Sequence, residues 1–147
     1  SIEPKRGTAL ARVHELTADT FELKLECKTF EEDLEYPVNT ILAVSVCTDG
    51  FSAVTTMDIG IKALARFSKE LCQLYETLSG KARLEEPYGM GDFIEFQAVK
   101  WGYIEAAGVL HHKCSQQQLS FKNEFDQTCL RHFAKELFHQ YRDYLDR

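Results

Sequence analysis

The sequence is short of basic residues, proline and long apolar runs, and each shortage removes a class of function. Lysine and arginine number 17 against 23 acidic residues, a formal charge of −6. That balance argues against direct nucleic-acid binding, which needs a basic face to neutralise phosphates. The longest apolar run, around Ile41-Leu42-Ala43-Val44, falls far short of the roughly 20 residues of a membrane-spanning helix, so no membrane partner is expected. Ile2-Glu3-Pro4-Lys5-Arg6-Gly7 has no apolar h-region, so no signal peptide is expected there. Ser1 stands where an initiator Met would, and the sequence is compatible with a longer native chain. With three prolines and no Pro/Gly/Ser-rich stretch, no linker is visible. Residues 1–147 read as a single domain, long enough for a substantial core.

Paired cysteines are missing too. The five cysteines are odd in number and none sits in a C-x-x-C pair, which makes a poor disulfide framework. Cys27, Cys47 and Cys72 fall within or beside apolar-patterned positions, where a free thiol serves as a small hydrophobe. A reducing, cytoplasmic compartment is the simpler reading.

What is present is periodicity. Phe21, Leu23, Leu25 and Cys27 alternate with Glu22, Lys24, Glu26 and Lys28, the period of two that marks a strand with one buried face. Thr8–Leu16 reads as its hairpin partner through Thr17-Ala18-Asp19. Leu42, Val44 and Val46 give a third strand, and Asp49-Gly50 is a strong hairpin signal returning it along Phe51–Thr56. The period then changes. Leu64, Phe67, Leu71, Leu74 and Leu78 form an apolar helical stripe, with Asp58 as the expected N-cap and Gly80 at C′.

Strand patterns resume at Lys81–Glu85, Phe93–Val99, Trp101–Leu110 and Gln118–Lys122. A second helix is expected from about Glu124, capped by Asn123 or Asp126, with Leu130, Phe133, Leu137, Tyr141 and Tyr144 on one face. Leu64-x-x-Phe67-x-Lys69-Glu70-Leu71-x-x-x-Tyr75 recurs as Leu130-x-x-Phe133-x-Lys135-Glu136-Leu137-x-x-x-Tyr141. The fold expected is α+β: a mostly antiparallel sheet of about eight strands in two β-rich halves, each followed by one amphipathic helix.

Signals for chemistry are weak. Gly89-x-Gly91 lies between two strands, so no helix N-terminus stands behind it to hold a phosphate. No serine sits in a nucleophile elbow, and Cys129 with His132 is a thin basis for a thiol nucleophile. His111, His112 and Cys114 followed by Cys129-x-x-His132 resemble zinc-ligand spacing. A strand at Gln118–Phe121 need not bring the two pairs together, and surface histidines are the preferred reading. No catalytic residue, metal or cofactor is expected. Glu105 shares a phase with Trp101 and Tyr103. Either that phase faces the core and Glu105 is a buried carboxylate needing a partner, or the three form an exposed aromatic–acidic stripe suited to an interface. Trp101 is expected in the core.

The acidic residues cluster, and Glu31, Glu32, Asp33, Glu35, Glu85, Glu86 and Asp92 are the candidate contacts for a basic protein partner. Two further segments carry a family resemblance. Leu42–Leu84 runs strand, Asp49-Gly50-Phe51, strand, helix, then Gly80-x-Ala82-x-Leu84. From Trp101 the order is Gly102-Tyr103-Ile104, Gly108-Val109-Leu110 and Leu119-x-Phe121, and then Phe125-Asp126-Gln127-Thr128-x-Leu130-x-x-Phe133. Together they resemble the WapI-type bacterial immunity proteins of polymorphic toxin and contact-dependent growth inhibition systems. The acidic stretch before Tyr36 lies outside the resemblance. It implies a non-enzymatic protein that binds the C-terminal domain of a cognate toxin, often a nuclease with a basic cleft, in the cytoplasm. The alternatives are a small-ligand-binding α+β domain, with a cavity lined by Tyr88, Tyr103 or His112 near Glu105, and an acidic regulatory adaptor.

Overall fold

The computed structural model describes residues 12–147. Of the hairpin expected at Thr8–Leu16, strand β1 (Arg12–Thr17) is seen, and Thr8–Ala11 lie outside the described residues. It pairs antiparallel with β2 (Phe21–Thr29), which pairs with β3 (Thr40–Thr48), which pairs with β4 (Phe51–Ile59). Helix α1 (Ile61–Thr77) follows. The plan then repeats: β5 (Lys81–Glu85), β6 (Phe93–Ala98), β7 (Tyr103–His111) and β8 (Gln118–Asp126) make a second antiparallel meander, closed by helix α2 (Thr128–Tyr141). A 3-10 segment, Arg142–Asp146, ends the chain. Eight strands in two sheets, each followed by a helix, match the expected α+β class.

Alternation decides which faces meet. Leu23, Leu25, Leu42, Val44 and Val46 of the first sheet point inward, as do Ala82, Leu84, Ile94, Phe96, Ile104 and Ala106 of the second. Phe21 stacks on Phe121 and Phe125, at 5.8 and 6.0 Å between ring centroids, which joins the sheets at one end. Phe96 meets Phe67 of α1 and Phe133 of α2, the two residues that repeat in the helical stripes. The helices also cross over. α1 packs against β5, whereas α2 packs against β1, where buried His14 lies 3.0 Å from the Tyr141 hydroxyl and 2.9 Å from Glu136. Burial pushes the Tyr141 hydroxyl far above the usual tyrosine range.

The expected caps need correction. Asp58 belongs to β4, and α1 starts at Ile61, whose N–H is accepted by Asn39 Oδ1 at 2.9 Å. The cap thus comes from the far side of the β3–β4 hairpin, where no local pattern reveals it. At the other end Leu78 is the left-handed capping residue and donates to Leu74 O, and Gly80, also at positive φ, follows two residues later. The second helix starts later than expected because β8 runs on to Asp126, whose Oδ1 accepts from Thr128 N–H at 2.9 Å. Asn123 is no cap. It is buried in β8 and ties the sheets together, accepting from Thr48 Oγ1 and donating to Asp49 Oδ2. Asp49 and Gly50 both have positive φ, the type I′ geometry that matches strand twist. Cys27 is buried, but Cys47 lies on the exposed face of β3.

Candidate functional site

The β2–β3 connection carries the longest acidic stretch. After a single 3-10 turn, Glu31–Asp33, the chain is pinned by Asn39, whose Nδ2 donates to Tyr36 O at 3.1 Å and Leu34 O at 3.4 Å. Because the same side chain caps α1, the acidic segment is anchored to the helix start. Glu31 accepts from the Tyr144 hydroxyl and pairs with Arg147 at 3.7 Å. Glu32, Asp33 and Glu35 make no ion pair among the described residues. Burial and the Glu31 hydrogen bond push the Tyr144 hydroxyl up to about 12.

Facing Tyr36 is the β5–β6 connection. Glu86 N–H donates to Asp92 O at 2.8 Å and closes this loop. Gly89, at φ +89°, lets the backbone pass where a Cβ would lie 3.1 Å from Glu86 Oε1. Between the loops opens a cleft of about 610 Å³, walled by Tyr36, Pro37, Tyr88 and Met90 and floored by Thr56, Asp58, Glu86 and Lys113. Tyr36, Tyr88 and Met90 are all exposed.

Beneath the cleft lies a buried charge network. Asp92 is 0% exposed and Glu86 6%. Lys113 Nζ donates to Glu86 Oε1 and Asp92 Oδ2, both at 3.1 Å. His111 donates to Asp92 twice, from its backbone N–H at 3.1 Å and from ring Nδ1 at 2.6 Å. A carboxylate can only accept, so Nδ1 carries the ring proton. Burial opposes ionisation of Asp92, but the bonds from His111 and Lys113 outweigh it and hold the carboxyl below its usual range. Burial likewise opposes the Lys113 charge, and the bonds to Glu86 and Asp92 hold the ammonium above its usual range. Glu86 Oε2 also accepts the Asp58 backbone N–H at 2.8 Å.

The expected contact set therefore divides. Glu31, Glu32, Asp33 and Glu35 stand together, and Glu85 is exposed on β5 beside Arg83, 3.0 Å away. Glu86 and Asp92 are corrections: they are interior, paired groups and not free surface charge. Their burial has a signal in the sequence, since Ala82-x-Leu84-x-Glu86 and Asp92-x-Ile94-x-Phe96 continue one inward phase. Lys113 and His111 had no such signal as their partners.

The aromatic stripe also resolves. Ile104, Ala106 and Leu110 face the core, so Trp101, Tyr103 and Glu105 take the opposite phase. Trp101 is 90% exposed at φ +64° in the β6–β7 turn, against the expectation of a core position. Glu105 is covered on the outer face by Gln97, which donates at 3.1 Å, and by Lys122 at 3.7 Å. Tyr88 lines the main cleft, His112 lines a different hollow, and Tyr103 with Glu105 lies on the outer sheet face. The cavity expected for a small-ligand domain is not assembled from these residues.

The zinc-like spacing is dispersed as well. His111 is bound to Asp92, His112 Nδ1 accepts from Cys114 N–H at 3.2 Å, and His132 pairs with Glu136 at 3.0 Å on α2. Among the described residues no three of His, Cys, Asp and Glu form a set able to hold a metal. None of the hydrogen bonds among these residues joins His111 to a serine or cysteine. No helix among them is long and apolar enough to cross a membrane.

Comparison with known proteins bears on the whole chain. A solved structure, WHY1 from Arabidopsis thaliana, is similar over 97% of this chain and 93% of its own, at 10% identity and a TM-score of 0.48. No curated protein matches. Residues 14–145 match the family described as "Immunity protein WapI-like family". The match is wider than the segments that carried the sequence resemblance, and it includes the acidic stretch that had been placed outside it. The chain belongs to the WapI-like immunity protein family.

Proposed function

We propose that this chain neutralises a cognate toxin by binding the toxin's C-terminal domain in the cytoplasm, without turnover. The observation that carries the reading is the family match across residues 14–145. A partner with a basic cleft, such as a nuclease-type toxin of a contact-dependent system, suits the acidic segment. Glu32, Asp33 and Glu35 stand next to the exposed ring of Tyr36. Charge of this kind steers encounter, and exposed aromatic and methionine side chains supply contact area. In this reading Glu31, Glu32, Asp33, Glu35 and Glu85 touch the partner. Glu86 and Asp92 act from beneath, by holding Lys113 and the loop that presents Tyr88.

The test is co-expression with the toxin domain encoded in the neighbouring reading frame. Rescue of growth and a one-to-one complex are expected; dead cells and no complex would end the proposal. Reversing Glu32, Asp33 and Glu35 to lysine should slow association about tenfold at low salt, with less effect at high salt. Stopped-flow mixing reads this, and an unchanged rate would move the contact surface elsewhere.

A further inference from the structure

Folds with open sheets carry edges that can recruit another strand, and natural proteins blunt them with charge, proline or a cover. Among the described residues the two sheets have four edges. β1 carries Arg12 and Glu15 and lies against α2, while β5 carries Lys81, Arg83 and Glu85 and lies against α1. β8 carries Lys122, Glu124 and Asp126. β4 differs: from Phe51 to Met57 it holds no charge and no proline, and its ladder with β3 runs without a bulge. Val54 on this strand is 74% exposed.

One bond fixes the polarity of that edge. The Asp58 N–H points away from β3, where Glu86 takes it. Strand groups alternate, so Ser52, Val54 and Thr56 also turn N–H and C=O outward. Among the described residues no backbone group beyond the β3–β4 ladder is bonded to them. Beside the edge lie two hollows. The 610 Å³ cleft sits at the Thr56–Asp58 end. A second hollow of about 390 Å³ lies between Phe51–Thr55 and Leu110, His112 and Leu119. At the Asp58 end Lys113 is already paired with Glu86 and Asp92, while Asp58, which lines the same cleft, has no ion pair among the described residues.

We propose that β4 is the docking edge for an extended, basic segment of the toxin domain. The incoming strand pairs with Ser52, Val54 and Thr56, places alternate apolar side chains in the hollow beside Leu110 and Leu119, and sets a lysine or arginine against Asp58. Main-chain bonds give the affinity, and the two hollows give the specificity. The inference rests on the immunity reading above for the identity of its partner.

Amide hydrogen exchange by NMR tests it, on the full chain alone and with the toxin domain encoded in the neighbouring reading frame. In the free chain Ser52, Val54 and Thr56 should exchange fast while Ala53 and Thr55 are protected. In the complex the first three should slow by about tenfold or more. Val54→Pro removes an outward N–H and no β3 bond, and should weaken binding about tenfold. Val54→Lys, which blunts the edge without touching the backbone, should do the same if the proline variant fails to fold. Val54→Thr should bind within about twofold of wild type. A complex that leaves the three amides exchanging as in the free chain overturns the edge and spares the immunity reading. A wild-type chain that does not bind the toxin domain overturns both. Protection in the free chain with a concentration-dependent dimer in sedimentation assigns the edge to a second copy and overturns the proposal.

Discussion

The two halves share one plan and dress their outer faces differently. On the second sheet Lys81, Arg83, Glu85 and Glu95 form a chain of ion pairs, and the Arg83 guanidinium lies 3.9 Å from the centre of the Phe93 ring. Glu105, Gln97 and Lys122 continue the ladder. On the first sheet the outward charges are dense on β2, with Glu22, Lys24, Glu26 and Lys28, and return only at Asp58 near the end of β4. Between them, Ile41, Ala43, Ser45 and Cys47 of β3 and Ser52, Val54 and Thr56 of β4 leave the face uncharged. Topology is common to both, so the difference between them resides in side chains. The β5 and β8 edges of one sheet carry charge, and the β4 edge of the other carries none from Phe51 to Met57.

The widest test of the comparison is to separate the halves. We propose that they fold as one unit, because each helix packs against the edge strand of the other half. A chain ending at Gly80 is expected to lose cooperative unfolding, and a sharp thermal transition by circular dichroism would break the idea. Next in size is Asp92→Ala, which strands Lys113 and His111 without their shared acceptor. It should cost about 3 kcal/mol in a urea titration; a loss below about 1 kcal/mol would mean that water replaces the carboxylate.

The helix starts offer a sharper contrast. Asn39→Ala removes a buried cap together with the ties to Leu34 and Tyr36, and should cost about 2 kcal/mol. Asp126→Ala removes an exposed, local cap and should cost about 0.5 kcal/mol. Equal losses would deny that the first half depends on its distant cap. Smallest are the surface pairs: Arg83→Ala should shift stability by less than about 1 kcal/mol.

Acid and alkali should act through different groups of the second half, Asp92 beside β6 and Tyr144 where the chain meets Glu31 of the first half. Asp92 titrates below the ordinary aspartate value of 3.8 when folded, so the unfolded chain takes the proton first. Its contribution is whole above 3.8 and is lost as pH falls through the folded value. Asp92→Asn should therefore flatten the acid limb of stability against pH. Tyr144 is raised from 10 to about 12, so the folded chain holds its proton longer. That contribution is whole below pH 10 and fades as pH rises toward 12, a slope that Tyr144→Phe should remove.

Strand and helix were legible because they are written in local periods. Phe21 to Cys27, the Asp49-Gly50 turn and the stripe from Leu64 to Leu74 each state their structure within a few residues. The misses share a different cause. Asn39 caps a helix that begins 22 positions later, and no spacing rule joins them. Glu86, Asp92 and Asn123 looked like surface residues by type but lie on inward phases of their strands. Position outweighed chemistry there, because each found partners that only the folded chain supplies. Trp101 erred the other way: its size suggested a core position, while the left-handed turn before β7 turned it outward.

That outward indole has a spectroscopic consequence. It is the only tryptophan in the chain, and it already stands in water before unfolding. Denaturation should therefore barely change the colour of its emission, and iodide should quench it in the native protein. Trp101 sits in the turn just before β7, whereas β4 touches the far end of that strand at His111. A strand seated on β4 would leave the fluorescence dark to its arrival, and a partner that settled over the β6–β7 turn would shift it to the blue.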